Sequence, residues 1–159
     1  MAILLPGPTL NQNSNTSMYQ LVYSSVTHPH LSKETITELL SCSRSVNVTG
    51  CIAVHGNDVI HLIEGDKAAV NTLYKTIAAK SWNRHIILQY KQPIQQRSFD
   101  DNLLVSGLRQ TALVGTDKPV LKHGDLPHIL QTLCYRTIAV KLFGYMVIDL
   151  FSQQDFFLF

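Results

Sequence analysis

Apolar positions along this chain recur in two different periods, and the switches between them mark the elements. YQLVYSS (19–25) is a short run of aromatic and β-branched residues, the composition of a buried strand. After the turn VTHPH, the segment SKETITELLSC (32–42) places apolar residues at 36, 39 and 40. That is a helical spacing, with Ser32 positioned to cap it and Glu34 and Thr35 in its first turn. TGCIAVHGND (49–58) reads as a strand ending in a Gly-Asn-Asp turn, and VIHLIEG follows at once. The two are predicted to form a hairpin around Gly56-Asn57. DKAAVNTLYKTIAA (66–79) reads as a second helix, capped by Asp66, with Ala69, Val70, Leu73, Tyr74 and Ile77 as its inner stripe. HIILQYKQ (85–92) is a fourth strand, and 103–108 is a candidate fifth.

The order β-α-β-β-α-β, with an added strand, predicts an α+β, ferredoxin-like sheet with two helices on one face. The other face needs a cover. LPHILQTLCYRTIAVKLFGYMVIDLF (126–151) is apolar with few charges and is expected to supply a helical tail, packed on that face or on a partner. Lys141, Gly144 and Asp149 interrupt it, so no membrane span is expected. The chain therefore divides into a flexible leader (1–17), a domain (18–108), a linker (109–125) and a C-terminal apolar segment (126–159). The closing FFLF is either docked or an interaction hook.

Composition narrows the function. A chain of 159 residues with 45% hydrophobic content can bury one domain's core. The net charge is +2 and no Lys/Arg block exists, so a nucleic-acid footprint is absent. Cys42, Cys51 and Cys134 have no CxxC spacing, which argues against both a disulfide framework and zinc. The opening MAILLPGPTL lacks a basic region and breaks at Pro6 and Pro8, so an intracellular, cytoplasmic location is expected. The sequons at Asn15 and Asn47 are then chance matches.

Chemistry-bearing motifs are sparse. His28-Pro29-His30 suits a turn better than a metal site. Asp100-Asp101, taken as strand residues, would point to opposite faces. Arg44 and Asn47 lie close together, but their loop lacks the glycines of an acylphosphatase-like anion cradle. Glu64 is a general-base candidate with no partner motif. No phosphate loop or nucleophile motif is present, so no enzyme is expected. One oddity stands out in DVIHLIEG (58–65): His61 is polar, yet shares its strand face with Val59 and Ile63. A buried histidine with a hydrogen-bond partner is the expectation.

YQLVYSS, a helix, VTG, HLIEG and PIQQRSF, in this order, resemble the BLUF family over about residues 19 to 105. Tyr23 matches that family's first-strand tyrosine, and Thr49 and Gly50 its TG. Leu62, Ile63, Glu64 and Gly65 approximate its LEG, and Pro93, Ile94, Arg97 and Phe99 its P-I-x-x-R-x-F. The resemblance implies a ferredoxin-like fold that binds FAD and senses blue light. In the family, the tyrosine gives an electron to the flavin and a third-strand glutamine rearranges its hydrogen bonds. An asparagine after the first helix holds the ring edge.

This chain departs from that pattern where flavin is handled. The glutamine position is His61. The asparagine position falls among Ser43, Arg44 and Ser45, with Asn47 too near the strand to substitute. The family's Arg-His pair falls near Ser81 and Trp82, with Arg84-His85 a few residues on. Its fifth-strand Trp and Met fall at Asn102 and Leu104. A neutral imidazole has one donor and one acceptor on opposite sides of its ring, so His61 cannot reproduce an amide switch. The expected function is a non-catalytic binding or structural module without cofactor, its normal photocycle lost. Its contacts would be a protein partner or a second copy, met through the apolar tail or an open sheet face. The alternative is an FAD-binding photoreceptor with Tyr23 as electron donor and His61 replacing the glutamine. Without flavin, the gap between the two helices must be filled, by Trp82 or by the tail.

Overall fold

The computed structural model describes residues 17–28, 32–106 and 137–152. Its elements are β1 (Met18–Thr27), α1 (Lys33–Ser45), β2 (Thr49–His55), β3 (Asp58–Asp66), α2 (Lys67–Ala78), β4 (Asn83–Ile94), β5 (Asn102–Ser106) and α3 (Ile138–Ser152). Both predicted caps form. The Ser32 hydroxyl accepts from the Thr35 backbone N–H at 3.2 Å, and the Asp66 carboxylate from that of Ala68 at 3.3 Å. The hairpin also forms: His55 pairs with Asp58, leaving Gly56 and Asn57 as a two-residue turn. Gly56 takes φ 59°, a left-handed conformation that glycine adopts at no steric cost.

The strands lie in the order β4-β1-β3-β2-β5. The first four are antiparallel to their neighbours, and β5 runs parallel to β2. Alternation along each strand splits the sheet's side chains into two cores. On one face Leu39 of α1 and Val70, Leu73 and Ile77 of α2 cover Leu21, Ile52 and Ile63. On the other, Val140, Phe143 and Val147 of α3 cover Val22, Leu62 and Val105. The central strands are thus buried on both sides, and the ferredoxin-like arrangement with its helical cover is the one the periodicity predicts.

Three expectations are corrected. The face opposite α1 and α2 is not open, because α3 buries the apolar side chains that the sheet would otherwise show to water. For the same reason α3 does not enter the gap between α1 and α2; Trp82 packs half-buried against the helix-side core. Asp100 and Asp101 are not strand residues but a bend before β5, where the Asp101 carboxylate accepts from the Asn102 N–H at 2.7 Å. The leader up to residue 16, the linker 109–125, residues 126–136 and the closing FFLF lie outside the described residues. Among the described residues no helix is long and apolar enough to cross a membrane.

The PIQQRSF segment acts as a clasp. Arg97 donates to the Thr49 hydroxyl at 2.9 Å, to the Asn47 carbonyl at 2.7 Å and to the Glu64 carbonyl at 3.4 Å. One guanidinium therefore holds the end of β3 to the turn that enters β2, a use of its fixed fork of donors.

Candidate functional site

The register of β1 and β3 sets Tyr23 directly opposite His61, and strand alternation turns both toward α1 and α2. The Tyr23 hydroxyl and His61 Nδ1 share a hydrogen bond of 2.9 Å. The two rings meet edge to face, with centroids 5.3 Å apart. Tyr74 of α2 brings a third ring to 5.5 Å from Tyr23. Protein atoms alone bury Tyr23 and His61 to 1% exposure each.

Burial sets the proton inventory. Desolvation, with a smaller contribution from Tyr74, pushes the Tyr23 pKa far up, so the phenol keeps its proton. Desolvation lowers that of His61 to about 3, so the imidazole is neutral at ordinary pH. Both groups are therefore neutral, and a single proton lies in the bond between the phenol oxygen and Nδ1. The pair is a neutral, satisfied hydrogen bond inside an apolar core, the arrangement expected of a buried polar side chain.

The other positions singled out by sequence do not join this pair. Ser43 is buried within α1 and donates to the Leu39 carbonyl at 3.1 Å. Arg44 is exposed. Asn47 is exposed in a left-handed turn at φ 55°, committed through its carbonyl to Arg97. Asn102 donates to the Val48 carbonyl at 3.1 Å, and its side-chain oxygen is buried without a partner. Leu104 is part of the helix-side core. Arg84 and His85 are exposed at an irregularity of the β1–β4 pairing. His85 lines a groove of about 350 Å³ beside Met146 and Leu150 of α3, on the opposite side of the sheet. Only His28 of His28-Pro29-His30 lies within the described residues. Among the described residues no group of three or more His, Cys, Asp or Glu could hold a metal ion. Cys42 and Cys51 are free thiols, and burial pushes the Cys51 pKa up, which makes it unreactive.

A second buried polar cluster escaped the sequence reading. Gln20 and Glu64 are both fully buried and directly paired across β1 and β3. The Gln20 amide donates to Glu64 at 2.6 Å and to the Ser98 hydroxyl at 3.0 Å. The second Glu64 oxygen accepts from the Phe99 N–H at 2.6 Å. The Thr137 hydroxyl donates to the Gln20 carbonyl oxygen at 2.8 Å, and accepts from the Val140 N–H at 3.1 Å in the first turn of α3. Burial raises the Glu64 pKa, opposed by the hydrogen bonds from Gln20, Ser98 and Phe99 and by the nearby Arg97. Glu64 is therefore a structural tie between the sheet and the start of α3, not an exposed base. The signal was the same as for His61: Gln20 is a polar residue inside an apolar strand run.

No curated protein matches the chain. Among solved structures, BlrB, a BLUF protein in its dark state, superposes with a TM-score of 0.52 at 25% identity, over 57% of this chain and 74% of BlrB. The BLUF part of BlrP1 gives a TM-score of 0.61 at 18% identity, over 84% of this chain and 91% of that one. The Klebsiella pneumoniae BlrP1 complex with calcium and cy-diGMP gives 0.62 at 20% identity and 83% of this chain, which spans only 34% of that longer protein. At such identity the BlrP1 likeness is one of fold. The family model for BLUF, sensors of blue-light using FAD, matches residues 18–104, from the start of β1 into β5 and over half of the sequence. The chain belongs to the BLUF family.

Proposed function

We propose that this BLUF domain works without flavin photochemistry, as a non-catalytic contact module. The observation that carries the reading is the Tyr23–His61 pair. In a flavin-handling site the strand side chain beside the tyrosine bonds its hydroxyl and still offers both a donor and an acceptor to the ring edge. Here His61 spends Nδ1 on the Tyr23 hydroxyl at 2.9 Å, both side chains are sealed by protein, and Tyr74 packs against the tyrosine. Ser43, near the expected asparagine position, is spent on its own helix. The residues present therefore fit a flavin ring poorly. Admitting one would break the pair, and each buried partner left unmatched costs about 1–3 kcal/mol. Among the described residues the buried side-chain oxygens of Asn57, Asn83 and Asn102 lack partners, and each is a lone acceptor. No cofactor is assigned on this reading. The free cysteines suit a reducing compartment.

The test is the visible spectrum of protein purified from riboflavin-supplemented cells, and again after refolding with excess FAD. The expected result is a colourless protein in both cases. A flavin band that shifts red under blue light, with the shift abolished by Tyr23→Phe, would overturn the reading. It would instead support an FAD photoreceptor with Tyr23 as donor and His61 in the glutamine's place.

A further inference from the structure

The tie between β1, β3 and α3 contains a group that can change its charge inside the fold. Glu64 and Gln20 are both fully buried. Both Glu64 oxygens accept: Oε2 from the Gln20 amide nitrogen at 2.6 Å and Oε1 from the Phe99 N–H at 2.6 Å. Neither donor has a lone pair to offer a carboxylic acid, so these contacts fit the ionised form. The other two partners of the Gln20 amide are hydroxyls, Ser98 at 3.0 Å and Thr137 at 2.8 Å. A hydroxyl can donate or accept, so both fit either orientation of the amide. Of the three partners, only Glu64 therefore decides which way Gln20 points. Across the sheet Glu64 meets Gln20 of β1 and Thr49 of β2, and α3 reaches the cluster with Thr137; none of these titrates. Burial favours the neutral acid, whereas the hydrogen bonds and the charge of Arg97 in the clasp favour the carboxylate.

We infer that Gln20 is a two-position relay: when Glu64 takes up a proton the amide turns over, and the first turn of α3 registers the change. With a proton on Oε2, Glu64 becomes a donor toward Gln20 and needs an acceptor there. Half a turn of the amide brings its carbonyl oxygen to Glu64 and Ser98, and its nitrogen to Thr137. Glu64 Oε1 keeps the Phe99 N–H throughout. The Thr137 hydroxyl changes role. With Glu64 ionised it donates to Gln20 and accepts from the Val140 N–H at 3.1 Å. After the turn it accepts from both. A hydroxyl that donates is the better acceptor, because hydrogen bonds in a chain polarise one another. The Val140 N–H bond is thus stronger while Glu64 is ionised and weaker once it is protonated. One proton enters from solvent and stays on Glu64, and every heavy atom of the cluster keeps its place.

The experiment is a pH titration of the full chain by heteronuclear NMR, from about pH 8 down to about pH 4.5, a window wide enough for a carboxyl with a raised pKa. It follows the Glu64 side-chain carboxyl carbon, the Gln20 side-chain NH2 and the Val140 backbone amide. All three should move with one midpoint, and the Val140 amide proton should shift upfield as pH falls. In Glu64→Gln, an uncharged mimic of the acid form, Val140 should hold the wild type's acid-end position at every pH. In Thr137→Ala, Glu64 should still titrate while Val140 stays fixed. A Glu64 carboxyl that titrates without moving Gln20 and Val140 overturns the inference. So does a Val140 titration that persists in Thr137→Ala, or a Glu64 that never titrates while the chain stays folded. The wild type and Thr137→Ala suffice if Glu64→Gln does not fold. None of these outcomes touches the flavin reading, which the absorption spectrum decides separately.

Discussion

Acidification from about pH 8 to about pH 5 should destabilise this domain by about 2 kcal/mol through His61 alone, from one proton's linkage. The imidazole titrates near 6.5 in the unfolded chain, whereas burial in the fold lowers it to about 3. A depressed native pKa contributes stability that is fully present above the unfolded value. That stability is lost as pH falls toward the native value, because the unfolded chain takes up a proton that the folded one refuses. Well below pH 6.5 the slope approaches about 1.4 kcal/mol per pH unit. Glu64 works in the opposite direction: its raised native pKa makes its contribution grow as pH falls. The measurement is therefore a difference, urea unfolding of the wild type against His61→Gln at matched pH, since Glu64 is common to both. The wild type should lose about 2 kcal/mol more than the variant across the window. Parallel pH profiles for the two proteins would refute the reasoning, because they would mean that His61 titrates as freely in the fold as out of it.

Two further substitutions test the frame that holds the pair. Gly50→Ala should cost about 4 kcal/mol or more and leave a chain unfolded by circular dichroism, through a backbone clash in the core. Its new Cβ would lie 1.9 Å from the Leu62 carbonyl oxygen in the middle of the sheet, where no flexible side chain can yield. Arg97→Ala should cost about 2–3 kcal/mol in thermal or urea unfolding, because it strips donors from the Asn47 and Glu64 carbonyls. Arg97→Lys should recover only part of that loss, since an ammonium cannot span the same acceptors.

Much of the fold was legible because it depends on neighbours a few residues apart. Ser32 and Asp66 cap their helices through side chains two or three residues from the groups they satisfy. Gly56-Asn57 turns the hairpin because its conformation is a local matter. The misreadings involve one local bend and several distant partners. Asp100 and Asp101 look like the start of a strand, but the chain is still bending into β5 there, with Asp101 tied to the next residue's N–H. The Gln20–Glu64–Thr137 tie spans up to 117 residues of sequence, and nothing near Gln20 names its partners. His61 was visible as an anomaly, yet its partner was not.

Alternation and helical periodicity in the amino-acid sequence determined the elements, their order, the caps, the hairpin and the apolar character of the tail. The order of motifs along the chain also determined the family. Tertiary structure alone decided that Tyr23 faces His61 and bonds to it, and that Gln20 meets Glu64. It also decided that one face of α3 stays outside. The reason is physical: a side chain's environment follows from strand register and from which elements pack on which face. Those depend on the free energy of the whole assembly rather than on any short stretch of it.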